Sequence, residues 1–209
     1  MLGGVEFLTG AGLAASAGLN AYIPLLALGL LGRFTNVITL PAGSQWLENG
    51  WVLAILTGLL AVEFVADKIP VVDHVNDVVQ TVVRPTAGGL AFGAGASSET
   101  VTVSDPGSFF STNQWVPVAI GVLISLGVHG MKAAARPVVN MTTAGVGAPV
   151  VSTAEDVTSV VLSVVAIIVP FLVLFFFLAM IWFFVAMMRR RKRRKQEKEW
   201  LRATGYPGR

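Results

Sequence analysis

Two strongly apolar stretches of this chain enclose a dense set of ionisable residues, Glu63, Asp67, Lys68, Asp73, His74, Asp77 and Arg84. A charge at bilayer depth costs roughly 2.5–3.5 kcal/mol even on the mildest insertion scale, so residues kept there line a cavity, pair with one another, or do both. Any fold the chain adopts has to bring counter-charges to this segment.

The surroundings are lipid-soluble. Hydrophobic residues make up 54% of the chain and charged residues 13%, with a mean hydropathy of +0.72, against about 25% charged in an average soluble domain. This is the composition of an integral membrane protein, and the expected fold class is all-α: a polytopic transmembrane helix bundle over residues 1–188, followed by a basic cytoplasmic tail over 189–209. There is no cysteine, which excludes disulfides, thiolate catalysis and cysteine metal sites. His74 and His129 are the two histidines and share no HExxH spacing, so a zinc site is not expected and carboxylates are the plentiful hard ligands. No metal and no cofactor are expected.

Net charge conceals two opposed parts. Residues 189–209 carry ten Lys or Arg against Glu197 and Glu199, while residues 1–188 carry five against ten Asp or Glu. Seven consecutive basic residues, Arg189 to Lys195, follow directly on an apolar span. Under the positive-inside rule they place the tail in the cytoplasm, against anionic lipid head groups. A topology anchor explains this run without nucleic acid. Met1 to Gly10 contains Glu6 and no Lys or Arg, so a cleavable secretory signal is not expected.

Along the chain, residues 5–31 read as one span kinked at Pro24, with Asn20 near its centre and Gly10, Ala14 and Gly18 on one small-residue face. A loop over 34–50 leads through Trp46 and Trp51, candidates for an aromatic belt, into a short span from Trp51 to about Ala66. Glu63 and Asp67 then share a face at i, i+4 near the membrane surface. After the Ile69-Pro70 break, the stripe Asp73, Asp77, Thr81, Arg84 faces the bundle interior and Pro85 breaks the helix. A Pro-interrupted helix with ionisable residues on its inner face is how transporters build binding sites. Residues 96–114 read as an external polar loop. The span from about Val116 to Ala135 puts His129, Lys132 and Arg136 on a single face, the natural counter-charge for the acidic stripe. A Pro- and Gly-containing connection over 137–153 precedes an apolar run, Ala154 to Met188, interrupted only by Pro170. As one helix that run would be about 50 Å long against a core of about 30 Å. Two spans meeting at Pro170 give six in all, both termini inside; five spans with one long kinked last helix is the alternative.

A weak internal repeat is present. Ile69-Pro-Val-Val-Asp-His-Val-Asn-Asp77-Val78 aligns without a gap with Ala148-Pro-Val-Val-Ser-Thr-Ala-Glu-Asp156-Val157 at an offset of 79. It puts Asp77 and Asp156 at matching helix starts, where both could face one central space. As N-caps, Asp73, Ser152, Thr153 and Asp156 would have a purely structural role.

These residues also carry a resemblance. Glu63-Phe-Val-Ala-Asp-Lys-Ile-Pro-Val-Val-Asp73, Thr81-Val-Val-Arg-Pro85, Lys132-Ala-Ala-Ala-Arg136 with Asn140, Ser152-Thr-Ala-Glu-Asp156 and Gly18-Leu-Asn-Ala-Tyr-Ile-Pro24 resemble the domain of unknown function 4126 family of bacterial membrane proteins, over about residues 8–190. The resemblance implies a polytopic inner-membrane protein and brings no established activity.

Two functions compete. In the first, a small transporter or channel-like protein uses Asn20, Glu63, Asp67, Lys68, Asp73, Asp77, Arg84, His129, Lys132, Arg136, Glu155 and Asp156 as a charged intramembrane site for an ion or a small polar or anionic solute. In the second, a non-transporting scaffold, assembly or lipid-organising module uses the same charges as a structural ion-pair network. No Ser-His-Asp order and no Gly-rich phosphate cradle is present, so an enzyme is not expected. The expected setting is the bacterial inner (plasma) membrane, multi-pass, with membrane lipids as partners, a homo-oligomer compatible and no nucleic acid bound.

Overall fold

The computed structural model describes residues 3–68, 70–96, 115–143 and 147–204, with the backbone alone for 70–75, 77, 137–138, 140–142, 148, 187, 191–192, 194–195 and 197–204. Among the described residues the chain is all-helical. It runs through α1 (Gly4–Leu19), α2 (Tyr22–Phe34), a 3-10 helix (Ala42–Glu48), α3 (Gly50–Ala66), α4 (Pro70–Gly95), α5 (Trp115–Thr143), α6 (Ala148–Ile168) and α7 (Leu172–Thr204). Segments of α5, α6 and α7, namely Trp115–Arg136, Pro149–Ile168 and Leu172–Arg190, are long and apolar enough to cross a membrane. The 3-10 helix and α3, bent by 66°, make a fourth candidate if they form one broken span. Three or four candidate spans are thus present among the described residues by length and apolarity, which does not confirm the six expected or the five of the alternative. The expected external loop lies, beyond Ala96, outside the described residues.

The chain forms two compact units, Met1–Val173 and Leu174–Arg209. In the first, large apolar side chains face outward, among them Ile55, Val62, Leu123 and Val161, while Gly10 to Gly18 of α1 are all buried. The interior thus mixes small and polar groups with leucines and Phe92, and the many bulky apolar side chains left outside suit a lipid surround. In the second unit α7 exposes Leu174, Phe175, Leu178, Ile181, Trp182 and Phe183 and continues helical into the basic tail through Thr204.

α1 is the hub, packed against α4, α5 and α6. Its small residues permit this on every side: a methyl on Gly12 would stand 2.6 Å from Ala166 Cβ, and one on Gly18 2.7 Å from the Ser125 carbonyl. The expected single span over 5–31 is instead two helices. Leu28 of α2 lines the same cavity as Val5 and Thr9 of α1, which a straight or merely kinked helix cannot do at about 1.5 Å rise per residue. So α2 folds back along α1, and the Gly4 end of α1 lies at the end of this unit opposite Lys68. The break falls at Asn20, not Pro24. Asn20 takes an extended backbone (φ −144°, ψ 122°), and its Oδ1 accepts from the amides of Tyr22 at 3.1 Å and Ile23 at 3.3 Å. Pro24 then occupies the first turn of α2, where a missing N–H is harmless.

Pro85 does not break α4, which passes through it as one helix. Next to it, Ser125 Oγ of α5 donates to the Arg84 carbonyl at 2.8 Å, and α4 and α5 cross in near-contact at Gly88, Gly121 and Ser125. That crossing sets Arg84 beside His129. α5 runs on to Thr143, past the expected end at Ala135, and α6 starts at Ala148 rather than Ala154. The breaks expected at Pro70 and Pro170 are present: Pro70 opens α4, and Val169 to Phe171 separate α6 from α7.

Candidate functional site

Four helices and the α1–α2 turn converge at one end of the first unit. α3 ends there with Glu63 and Asp67, α4 brings Asn76, Gln80 and Arg84, α5 brings His129, Lys132 and Arg136, and α6 brings Ser152, Glu155 and Asp156. Residues 1–188 contain five Lys or Arg, and three of them meet here.

Asp67 is the hub of the ion pairs. Its Oδ2 lies 3.4 Å from Arg136 Nη2, 3.6 Å from Lys132 Nζ and 3.9 Å from Arg84 Nη2, and its Oδ1 accepts from Asn76 Nδ2 at 2.8 Å. Ser152 Oγ donates to Oδ2 at 3.5 Å. Asp67 follows the last residue of α3. Burial alone would push its carboxyl up, but Lys132, Arg136 and Arg84 with the Asn76 amide outweigh that and hold it below the ordinary carboxylate range. Arg84 donates to Glu63 Oε1 at 2.8 Å, and Lys132 pairs with Glu155 Oε2 at 2.8 Å. Arg84, Glu63, Asp67 and Lys132 are sealed from solvent, whereas Arg136 and Glu155 keep 11% and 14% of their side-chain surface.

Arg84 Nη1 lies 3.1 Å from His129 Nδ1, and His129 Nε2 lies 3.2 Å from Thr81 Oγ1. A guanidinium can only donate, so Nδ1 must accept and the ring proton sits on Nε2, facing the Thr81 hydroxyl. His129 therefore supports Arg84 as a neutral acceptor. Among the described residues the cluster brings together four carboxylates, Glu63, Asp67, Glu155 and Asp156, and three cations, Arg84, Lys132 and Arg136.

Asp156 stands apart from the ion pairs. Its Oδ1 accepts from Asn20 Nδ2 at 3.0 Å, and its Oδ2 is buried with no hydrogen-bond partner. From Asp156 a line of hydroxyls runs along the α1–α6 seam: Ser16 Oγ lies 2.7 Å from both Ser159 Oγ and Ser163 Oγ and donates to the Ser159 carbonyl at 2.8 Å. All three serines are fully buried. At the far end of the unit, a cavity of about 260 Å³ is lined by Glu6, Thr9, Leu28, Leu40, Gly95 and Ile167, among others.

Of the residues expected in the site, Asn20, Glu63, Asp67, Arg84, His129, Lys132, Arg136, Glu155 and Asp156 are brought together. Lys68 is not: its Nζ donates to the Phe64 carbonyl at 3.1 Å, over that residue's own ring. The side chains of Asp73 and Asp77 lie outside the described residues. Of the expected α4 stripe, Arg84 is buried and Thr81 is exposed; Gln80 is buried and Asn76 half-buried beside it. Ser152, Thr153 and Asp156 lie inside α6 and cap nothing. Missed were Asn76, Gln80, Ser16, Ser125, Ser159 and Ser163. A signal existed for the last two, because Ser152, Asp156, Ser159 and Ser163 repeat at i, i+4, i+7, i+11 in an otherwise apolar helix.

A site of this kind can hold positive charge and exchange partners about Asp67. Among the described residues no three His, Asp or Glu side chains converge to hold a metal ion. No curated protein and no solved structure is significantly similar to the chain. The family model of the domain of unknown function DUF4126 matches residues 7–190, across α1 to α6 and into α7. With most of its length so matched, the chain belongs to the DUF4126 family.

Proposed function

We propose that this protein is a small transporter or channel-like membrane protein that carries a cation through the charged site in its helix bundle. One observation carries the reading. Among the described residues, Glu63, Asp67, Glu155 and Asp156 meet Arg84, Lys132 and Arg136, and Asp156 is the carboxylate with no cation in ion-pair contact. A surplus negative charge beside hydrocarbon is costly, and a cation taken up there removes the cost.

The same count argues against an anionic solute. Each of Arg84, Lys132 and Arg136 already has a carboxylate within 3.4 Å, so an incoming anion would have to displace a buried partner, at several kcal/mol. Movement has a natural place in the α1–α2 turn, since broken helices line the sites of alternating-access transporters, and Asp67 faces three cations between which small shifts redistribute its pairing. We place the protein in the bacterial plasma membrane, multi-pass, with the tail from Arg189 in the cytoplasm against anionic head groups. It acts there without catalysing a chemical reaction and without binding nucleic acid, alone or as a homo-oligomer.

The test is charge movement across a supported membrane containing the purified protein under an imposed cation gradient. A current above that of protein-free membrane, diminished in Arg84→Gln, supports transport. No current under any monovalent gradient refutes it.

The buried ion pairs about Asp67 support a second reading, in which the network only holds short helices together in a scaffold. A protein partner copurifying in fixed stoichiometry, with no current, would favour that reading.

A further inference from the structure

We infer that the cation is a proton, and that it travels between the cavity beside Glu6 and Thr9 and the Asp156 carboxylate through the hydroxyls of Ser163, Ser16 and Ser159. This rests on the transport reading and names its ion and path.

The seam admits a proton and little else. Its hydroxyl oxygens touch at 2.7 Å and are fully buried, leaving no space for a metal ion with its own shell of about six oxygens. A proton needs only oxygens that can donate and accept in turn. Ser16 Oγ has one hydrogen and three acceptors in reach, the Ser159 carbonyl and the Oγ atoms of Ser159 and Ser163. Ser159 Oγ can equally donate to the Ser16 carbonyl at 3.1 Å. Ser16 and Ser159 can therefore each turn from one acceptor to another without leaving the network, and Ser163 Oγ meets it through Ser16 Oγ.

The ends of the line are matched. Ser159 stands one helical turn from Asp156, i to i+3 on the same face, and Asp156 Oδ2 is buried with nothing bonded to it. Ser163 stands about 6 Å, one turn, below Ile167 of the cavity wall. Between them lies an apolar constriction where Gly12 meets Ala166 and Val173. In transfer, a water entering that constriction from the cavity hands a proton to Ser163 Oγ, and that hydroxyl's own proton passes to Ser16 Oγ. Ser16 in turn releases its proton to Ser159, and Ser159, through one water, releases its own to Asp156 Oδ2. Each O–H bond broken is matched by one formed, and one positive charge has moved. Asn20, bonded to Asp156 Oδ1 and to the first amides of α2, ties the protonation of Asp156 to the helix turn.

Among the described residues, the charged groups at the same end of the bundle as Asp156 are its chain neighbour Glu155, the Lys132 and Arg136 paired with it, and Asp67, Arg84 and Glu63 beyond them. A proton on Asp156 brings the described cluster to neutrality.

The experiment uses the full chain in vesicles holding a pH-sensitive dye, with a potassium diffusion potential set by valinomycin and current recorded in parallel. The proposal expects the interior to acidify and transport to slow in D2O. Ser16→Ala and Ser163→Ala, which keep the packing and lose the hydroxyl, should slow acidification about a hundredfold, the scale on which losing a positioned proton donor acts. Asp156→Asn should reduce it to the protein-free level. Current without a pH change, a rate equal in D2O and H2O, or wild-type rates in both serine variants each overturns the proton path and leaves cation transport standing. Absence of any current defeats the transport reading itself.

Discussion

Asn20 Nδ2 donates to Asp156 Oδ1 at 3.0 Å, and the same side chain's Oδ1 accepts from the first amides of α2. One buried amide thus both caps a helix at a turn inside the bundle and holds the carboxylate that the cations leave unpaired. The capping fixes where the chain reverses; the second bond fixes where Asp156 points.

Asn20→Ala should therefore be costly. It removes a cap worth about 1 kcal/mol and strips a partner from a partly buried carboxylate, about 1–3 kcal/mol more. In a chain of this size that is a drop in unfolding temperature of about 5 °C or more. Thermal unfolding in detergent measures it, and an unchanged midpoint would deny Asn20 both roles.

Glu63 and Arg84 form the driest pair, at 2.8 Å with side-chain exposures of 1% and 0%. Arg84→Met alone should destabilise by about 3–5 kcal/mol because it strands buried carboxylates. Adding Glu63→Gln should recover part of that loss, a non-additivity a double-mutant cycle reads directly. Strictly additive effects would mean the two groups do not sense each other.

Asp67 predicts an acid limit. Its carboxyl is held below the usual value, so the stability it contributes is complete above the unfolded value of about 3.9 and is lost as pH falls through the lower folded value. Unfolding temperature should decline as acid is added below about pH 4. Asp67→Asn, weaker at neutral pH, should decline less over the same interval; parallel curves would show that Asp67 is not the group titrating.

The hairpin of α1 and α2 makes a topological prediction that the absence of cysteine renders easy to test. Gly4→Cys, at a position with nothing within 4 Å, and Lys68→Cys should react with a membrane-impermeant maleimide from opposite faces of the membrane. A single span over 5–31 followed by one through α3 would place them on the same face.

How much of this was legible in the sequence follows from what each signal measures. Composition and the spacing of His129, Lys132 and Arg136 led to an all-helical membrane protein with a basic face opposed to an acidic one, because burying charge in lipid has few solutions. The prolines misled in both directions. Pro85 sits within α4 since a helix among helices can tolerate the lost hydrogen bond, and Pro24 is harmless in a first turn, so the reversal belonged to Asn20, whose capping depends on its neighbours in space. On α4 the charge of Arg84 marks a residue that burial also selects, whereas Gln80 is uncharged and gives no such signal although it is equally buried. Serines in a valine-rich helix look like packing residues until a second helix brings Ser16 to 2.7 Å from them.

The most direct test of the charged site as a cation carrier is Asp156→Asn in one preparation, read for both unfolding temperature and current. The amide keeps the shape and the bond to Asn20 while removing only the surplus charge. The account predicts a folded protein within about 1 kcal/mol of the parent, since the exchange also removes an uncompensated charge, and one that passes no current. A folded Asp156→Asn protein with the full wild-type current would contradict it.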